Sequence, residues 1–407
     1  MNVLFVCKNW DGANGICVKS VAENVSLDHK VYVLCSANNQ EKNENNIEYM
    51  NISNDILTIM SMSSNKIKSN IGKLLNKVSI VLQYSVWPFS KPFYYIRLKK
   101  KCEDIVVDKK IDVIIPVYGP IETIYAAIAA KKKNRNIIVL PYFLDALLGG
   151  PKPRLMSEKY KKIRAKKVEA KVAEYSTNII MMKAAESCYD NSQYREKISF
   201  LDLPLLNRNE EICKEKELLP KNRINLVYVG NISRQIRNPE ILLKILNKIK
   251  NSEINFYFIG NSDCDDIFEQ FIKIDSRFHR IDSVPYITAK KYMQEADYLL
   301  NIGNSLEYMV PSKIFDYMSF YKPIISTTKI NADPSEKYLK KYRKALIINE
   351  RDDFLENANL VEKFIDRKLN SFSEDEKEKM FSVMYMNTPT AFKDHMERVC
   401  RIYENKN

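Results

Sequence analysis

Residues 303–325 read GNSLEYMVPSKIFDYMSFYKPII, and this stretch decides the fold that the sequence predicts. The apolar run 298–302 just before it suits a buried strand, and the polar residues that follow interrupt that pattern. Pro311 and Ser312 are typical of a helix start, because proline fits the first turn and serine caps it. The stretch ends in an apolar run after a proline, so it predicts strand, loop, helix and strand in few residues.

The start of this predicted helix carries polar groups on one side. Ser312 and Asp316 are four residues apart and therefore share a side of the helix. Unpaired N–H groups and the positive end of the helix dipole suit a diphosphate, and an ionised Asp316 accepts both hydroxyls of a ribose. This combination favours a sugar-nucleotide site. A solvated Asp316 beside a surface Lys313 remains the alternative, since lone helix starts are common.

The same residues carry a resemblance to a known family. The run PSKIFDYMSFYKPII (311–325) resembles the donor-binding signature of GT-B glycosyltransferases, especially family 4, in which a P-S-K-[IL]-[FY]-E-Y-[ML] block precedes a K/G-P-I strand. Asp316 stands where that family usually has glutamate. The family often has a further glutamate eight residues earlier, where this chain has Tyr308 with Glu307 beside it. The resemblance implies that Asp316 and Glu307 contact the donor.

Length and composition limit the number of domains and the class of protein. A chain of 407 residues with 45% hydrophobic content predicts two domains, each with its own core. The sequence contains no uninterrupted apolar run long enough for a membrane span and no signal-peptide pattern at Met1, so we expect a cytoplasmic protein. Eight cysteines without a CxxC pair and three histidines without ligand spacing predict neither a disulfide frame nor a metal site.

The positive charge is concentrated in the first half. Residues 1–207 contain 31 Lys and Arg against 20 Asp and Glu, whereas the whole chain has a net charge of +13. Between Ile56 and Cys102 nine basic residues alternate with apolar and aromatic ones, without any acid, and a second basic tract covers 152–171. Such mixtures can lie on an anionic membrane, with a solvated surface as the alternative. No base-reading module is evident, so we expect no nucleic acid partner.

Strands alternate with helical patterns in the first half, which predicts a parallel, doubly wound sheet. Ligands of such sheets bind beyond the carboxyl ends of the strands, which points to the loops after Cys7, Val117 and Tyr142. The first loop contains Gly12 and Gly15, which permit close approach of a ligand to the backbone. The family resemblance makes Asp145, in the third loop, a candidate for an acceptor-hydroxyl base or a donor contact. A simple turn and a helix-capping aspartate are the alternatives.

The second half repeats the alternation after a charged linker, 208–221, and predicts a second Rossmann-like domain. Its first loop resembles the family segment G-x-L-x-x-x-R-N-P-E-x-L-L, which implies that Arg237, or alternatively Arg234, neutralises the diphosphate. By the same resemblance, Ser312 and Lys313 complete the phosphate clamp. The triplet Val284, Pro285 and Tyr286 resembles the family's V-P loop beside the nucleotide base; a packed surface tyrosine is the alternative.

The resemblance as a whole implies an α/β GT-B fold with two Rossmann-like domains facing each other across a cleft. We assign residues 1–207 to an acceptor-binding domain, 208–385 to a nucleotide-sugar-binding domain, and 386–407 to a helix that returns to the first domain. The expected activity is a retaining, metal-independent hexosyl transfer without a cofactor. Arg237, Lys313 and Asp145 are the catalytic candidates.

We expect a nucleotide-sugar donor, with a UDP-sugar preferred to a GDP-sugar. The expected acceptor is a glycan or a polyprenyl-diphosphate-linked glycan of surface polysaccharide synthesis, and the expected location is the inner face of the cell membrane. Two alternatives remain. One is a GT-B scaffold that binds nucleotide or glycan without turnover. The other is a sugar-nucleotide 2-epimerase, although epimerases use a histidine-containing cleft and this chain has three histidines.

Overall fold

The chain folds into two units, one formed by Met1–Pro204 with Pro389–Asn407 and the other by Leu205–Thr388. The computed structural model describes residues 1–8, 10, 13–36, 46–52, 67, 69–70, 87–89, 91–148, 156–208, 217–305, 311–331, 333–368 and 372–405. The last helix, predicted from sequence to return to the first domain, is part of the first unit.

The strands are, in chain order, β1 (Asn2–Val6), β2 (Lys30–Cys35), β3 (Ile47–Asn51), β4 (Val113–Pro116), β5 (Ile138–Val139), β6 (Tyr142–Phe143), β7 (Ile179–Met182), β8 (Ile198–Leu201), β9 (Ile224–Val229), β10 (Ile254–Ile259), β11 (Phe278–Ile281), β12 (Tyr298–Asn301), β13 (Ile324–Thr328) and β14 (Ala345–Asn349).

The α-helices of the described residues are α1 (Ala13–Val25), α2 (Pro92–Asp108), α3 (Glu122–Lys133), α4 (Glu158–Tyr175), α5 (Glu240–Leu246), α6 (Asp265–Ile274), α7 (Tyr286–Glu295), α8 (Lys313–Ser319), α9 (Glu336–Tyr342), α10 (Phe354–Asp366), α11 (Glu374–Val383) and α12 (Pro389–Glu404).

The first unit contains a five-stranded sheet in the order β3-β2-β1-β4-β5 and a three-stranded sheet in the order β6-β7-β8. Neighbouring strands in both of these sheets pair in parallel. Helix α12 packs against α1, and His29 Nε2 lies 2.9 Å from Glu397 Oε1 across that contact. The basic helices α2 and α4 flank α3, which contacts both of them.

The second unit is a six-stranded parallel sheet in the order β11-β10-β9-β12-β13-β14. The side chains of β9, β10 and β12 are mostly buried and apolar, as expected for parallel strands covered on both faces. The fold is the predicted one: an α/β protein with two Rossmann-like parallel-sheet domains.

The structure corrects several expected element boundaries. Gly15, predicted in the loop after β1, lies in the first turn of α1 and is buried. Tyr286, predicted in a loop with Val284 and Pro285, is the first residue of α7. Ser312 is the residue before α8, but its side chain makes no capping hydrogen bond, so the predicted serine cap is wrong.

Strands β9 and β12 separate towards their carboxyl ends. They pair only at Leu226 and Val227, which leaves the last residues of β9 without a partner on that side. The buried hydroxyl of Tyr317, on α8, fills this gap: it accepts from the N–H of Val229 at 2.9 Å and donates to the Val229 carbonyl at 3.1 Å. A side chain of α8 therefore replaces a missing stretch of strand.

A close backbone contact joins the ends of β9 and β10. Gly260 has φ +137°, and a Cβ added there would lie 2.1 Å from the carbonyl oxygen of Gly230. Only glycine permits both the dihedral angle and the contact. The loops that follow the two strands can therefore start side by side.

We predict that Gly260→Ala destabilises the protein by about 3 kcal/mol, because it combines a strained dihedral with a backbone clash. Gly119→Ala is the control: its φ is also positive, +109°, but the added Cβ would meet its nearest atom at 3.7 Å. Denaturant unfolding should give a loss of only about 1–2 kcal/mol for the control. Equal losses in the two variants would contradict the clash.

We predict that Tyr317→Phe lowers the free energy of unfolding by about 1–3 kcal/mol, because it leaves the buried N–H and C=O of Val229 without a partner. Tyr321→Phe is the control, since the Tyr321 hydroxyl donates to the Arg208 carbonyl at an exposed position. Urea titration of both variants tests this, and an unchanged midpoint for Tyr317→Phe would show that the hydroxyl is dispensable.

Candidate functional site

A small pocket opens at the carboxyl edge of the sheet in the second unit. One part of its lining comes from β9 and the loop after it, and the other from the end of β12 and the start of α8. The lining residues are Tyr228, Arg237, Asn301, Pro311, Ser312, Lys313 and Tyr317. Three predicted site residues, Arg237, Ser312 and Lys313, are thus brought to one place, although they are up to 76 positions apart in sequence.

Arg237 is held by its neighbours in a fixed orientation. Its Nε–H donates to Asn304 Oδ1 at 2.7 Å, and Asn304 is fully buried. Its backbone N–H donates to the Ser233 carbonyl at 2.7 Å, which closes the loop after β9 into a turn. Because Nε–H is hydrogen-bonded to Asn304, the two terminal amino groups of the guanidinium are the groups that can bind an anion in a bidentate manner.

The charge of Arg237 also affects the pKa of Tyr228, which lines the pocket. Burial raises the pKa of Tyr228 to about 12, while the charge of Arg237 and a hydrogen bond with it act in the opposite direction. The Tyr228 hydroxyl donates to the Asn231 carbonyl at 3.0 Å. It therefore stays protonated at neutral pH and braces the loop that carries Arg237.

Arg234, the alternate phosphate ligand, does not line this pocket. Its guanidinium contacts the Asp266 carboxylate, and its backbone N–H donates to Asp263 Oδ1 at 2.7 Å. The guanidinium and the backbone N–H of Arg234 are therefore both engaged by acidic residues. The geometry consequently favours Arg237 over Arg234 as the group that meets an anion in the pocket.

Lys313 is the second cation of the pocket and has two neighbours. Its ammonium lies 2.8 Å from Asp316 Oδ2 and 5.2 Å from the centre of the Tyr286 ring. Lys290 approaches the same ring at 5.2 Å. The Asp316 residue is only 7% exposed, so its carboxylate depends on Lys313 for charge compensation. A ribose bound at Asp316, as predicted, would therefore share this carboxylate with Lys313.

The Val284-Pro285-Tyr286 segment lies beside the pocket through the Tyr286–Lys313 contact. Pro285 precedes α7, and the residue Tyr286 is 48% exposed. A half-exposed aromatic ring next to a cation offers a flat apolar surface and a charge together. This arrangement can accept a planar ligand group with an anionic neighbour.

Asp145, the candidate in the first unit, is an exposed residue just after β6. Burial and then the Asp145 charge raise the pKa of the Tyr118 hydroxyl. The loop is fixed at Leu148, whose N–H donates to Glu169 Oε1 at 3.3 Å and whose carbonyl accepts from Lys161 Nζ at 3.1 Å. Both anchors lie on α4 and are almost fully buried.

The remaining predicted site residues are Gly12, Gly15 and Glu307. Gly12 and Glu307 lie outside the described residues. Gly15 is in α1, one residue after Asn14, whose side-chain amide lies near Gly119 of the loop after β4. The start of α1 and the loop after β4 therefore meet at the carboxyl edge of the first sheet, where the sequence predicted a ligand.

Sequence reasoning missed four polar residues that shape the second-unit pocket: Tyr228, Asn301, Asn304 and Tyr317. Asn301 and Asn304 had a usable signal, because they are polar residues at the end of an apolar strand. Tyr228 and Tyr317 had none, since tyrosines inside apolar runs are read as core.

The described residues contain no helix that could span a membrane. They also contain no group of three or more His, Cys, Asp or Glu side chains placed to hold a metal ion.

The pocket lies inside a segment that matches a family model. Residues 223–366 match the model described as glycosyl transferases group 1, and they include β9 to α10 with the whole lining of the pocket. No curated protein matches the chain.

Solved structures match over the whole length at low identity. The Anabaena protein HepE in complex with UDP and glucose is 12% identical, with a TM-score of 0.53, and the match covers 100% of this chain and 98% of that one. WaaG, a glycosyltransferase involved in lipopolysaccharide biosynthesis, is 12% identical, with a TM-score of 0.55 and coverage of 96% and 98%. A putative UDP-N-acetylglucosamine 2-epimerase from Listeria monocytogenes is 8% identical, with a TM-score of 0.56 and coverage of 100% and 97%.

At these identities the structural matches establish the fold, and the family match concerns the second unit. Both agree with the resemblance seen in residues 311–325. The chain therefore has the GT-B fold, and its residues 223–366 match the model described as glycosyl transferases group 1.

Proposed function

We propose that this protein transfers a sugar from a nucleotide-sugar donor to a glycan or lipid-linked glycan, with retention of configuration, as a hexosyltransferase of bacterial-type surface polysaccharide synthesis. One observation carries the proposal: Arg237 and Lys313 line one pocket at the carboxyl edge of the sheet inside the region that matches the family model. The HepE structure, which contains UDP and glucose, and WaaG, which is involved in lipopolysaccharide biosynthesis, support the donor and the pathway by analogy.

In this proposal the diphosphate of the donor lies between Arg237 and Lys313. The terminal amino groups of Arg237 bind phosphate oxygens in a bidentate manner, and the Lys313 ammonium meets the charge that builds up on the leaving diphosphate. Ser312 supplies a hydroxyl at the same edge. No divalent metal is required for this charge compensation.

The base and ribose occupy the side of the pocket next to Tyr286. The ring of Tyr286 and the Val284-Pro285 backbone border the base, and Asp316 accepts ribose hydroxyls while it shares the Lys313 ammonium. We propose UDP in preference to GDP as the nucleotide. In the first unit Asp145 serves as the acceptor-side carboxylate, on a loop that Glu169 and Lys161 hold in place.

A panel of nucleotide sugars separates this proposal from its alternatives. Release of a nucleoside diphosphate with acceptor supports transfer, an isomerised donor indicates a 2-epimerase, and binding without either product indicates a scaffold. The epimerase remains a test outcome because a putative epimerase shares the fold. Thermal stabilisation by UDP, GDP, ADP and CMP identifies the nucleotide first, since a ligand raises apparent stability according to its affinity.

We predict that Arg237→Met weakens UDP binding by about 2 kcal/mol, or roughly 30-fold in Kd, because it removes charged hydrogen bonds to the diphosphate. Arg234→Met is the matched control and should bind UDP like wild type, since Arg234 is engaged by Asp263 and Asp266. Isothermal titration calorimetry on folded variants measures both. Loss of binding in the control alone would move the diphosphate site to Arg234.

The proposed membrane contact involves the N-terminal half of α2. Phe93 and Ile96 are 65% and 61% exposed there, and Lys100 and Lys101 follow at exposed positions. An exposed apolar pair beside lysines fits the interface of an anionic bilayer, where each cation near the surface adds about 1 kcal/mol. We therefore propose a peripheral location at the inner face of the cell membrane.

We predict that the double variant Phe93→Ser, Ile96→Ser reduces binding to anionic phosphatidylglycerol vesicles at least fivefold, because it removes the apolar part of the contact. Val107→Ser is the control: Val107 is 70% exposed on the same helix, but it lies next to Asp108. Vesicle sedimentation at low salt measures the effect. Failure of the wild-type protein to sediment with these vesicles would end the membrane proposal.

A further inference from the structure

We propose that Lys329, paired with Glu350, positions the loop that carries Arg237 and thereby sets the affinity of the pocket for a diphosphate. This inference rests on the proposed function, in which Arg237 binds the diphosphate. Lys329 itself follows β13 and is not a lining residue of the pocket, so it acts through Arg237.

The contact that transmits the effect is a single hydrogen bond. Lys329 Nζ donates to the carbonyl of Asn238 at 2.7 Å, and Asn238 directly follows Arg237. On the other side of Arg237, the N–H and hydroxyl of Ser305 donate to the Ile236 carbonyl at 3.0 and 3.2 Å. The backbone is thus held immediately before and immediately after Arg237.

The cation that makes this bond is itself held in a buried position. Lys329 and Glu350 expose only 12% and 8% of their side chains, and Lys329 Nζ lies 3.9 Å from Glu350 Oε2. At that separation the pair makes no direct hydrogen bond, and removal from water costs both charges free energy. Burial accordingly lowers the pKa of Lys329 and raises the pKa of Glu350. Such a buried pair contributes little net stability to the fold. We therefore assign to Lys329 and Glu350 the role of placing the loop that carries Arg237.

Hydrogen bonds also connect the Lys329–Glu350 pair to the loop after β12, on the other side of the pocket. Glu350 Oε1 accepts from the Thr327 hydroxyl at 2.7 Å, and the Thr327 oxygen accepts from the backbone N–H of Gly303 at 3.1 Å. The next residue, Asn304, accepts the Nε–H of Arg237. The loops after β9 and β12 therefore share one anchor, and both of them orient Arg237.

The test compares UDP binding in Lys329→Met and in the wild-type protein by calorimetry. We expect a rise in Kd of about tenfold, since a loosened loop must be ordered by the ligand. Glu350→Gln, which preserves shape and the bond from Thr327, should raise Kd in the same direction. It keeps the inference testable if Lys329→Met does not fold. A wild-type Kd in both variants would overturn the inference.

Two further variants separate positioning from general destabilisation. Lys344→Met is the matched control, because Lys344 is also a nearly buried lysine near a glutamate, Glu376 at 3.7 Å, but lies before β14 at the amino edge of the sheet. It should bind UDP like wild type. In an Arg237→Met background, Lys329→Met should change Kd less than twofold, because its effect passes through Arg237. A full tenfold effect in that background would overturn the inference.

The experiment also distinguishes failure of the inference from failure of the proposed function. If the wild-type protein binds none of UDP, GDP, ADP and CMP, both fail together. If the wild-type protein binds UDP and Arg237→Met does not, while Lys329→Met and Glu350→Gln bind normally, the diphosphate site stands and only the role of Lys329 is rejected.

Discussion

The separation of β9 from β12 is the constraint on which the candidate site depends. In the order β11-β10-β9-β12-β13-β14, the chain leaves β9 towards β10 on one side and leaves β12 towards β13 on the other. At such a switch point the two following loops diverge and leave a crevice at the carboxyl edge. Because the strands stop pairing at Val227, Val229 would be left unsatisfied without the Tyr317 hydroxyl. That one hydroxyl allows the sheet to open without a buried unpaired amide.

The two units use a similar device to fix the loops that carry their candidate residues. In the second unit the buried Lys329–Glu350 pair holds the Arg237 loop, and in the first unit Lys161 and Glu169 hold both polar groups of Leu148. Burial raises the pKa of Glu169, although the hydroxyls of Tyr189 and Tyr194 donate to it. Buried charges are poor sources of stability, but their hydrogen bonds are directional and costly to break. They suit loops that must keep one conformation in the absence of a ligand.

The sequence predicted the parallel α/β fold, because strand-loop-helix alternation determines which loops share an edge. Arg237, Ser312 and Lys313, which the sequence analysis assigned to one site, line one pocket in the structure. The sequence did not predict the edge strands β11 and β14 or the three-stranded sheet of the first unit, which are short and weakly patterned. It also missed the partners that orient Arg237. Asn304, Lys329 and Glu350 come together only through tertiary contacts between loops that are distant in sequence. Local hydrophobic periodicity does not predict such contacts.

The charge balance of the pocket explains why Lys313 is paired before any ligand arrives. A diphosphate brings more than one negative charge, and Asp316 adds a nearly buried carboxylate 2.8 Å from the same ammonium. If the ligand removed Lys313 from Asp316, the uncompensated buried carboxylate would cost several kcal/mol, on the order of 3–5. An ammonium has three donors, however, and Lys313 uses one on Asp316 while its charge lies over Tyr286. It can therefore keep Asp316 and accept a phosphate oxygen at the same time. The pair is then better understood as a preorganised cation than as a competing salt bridge, and Arg237 must supply the remaining compensation.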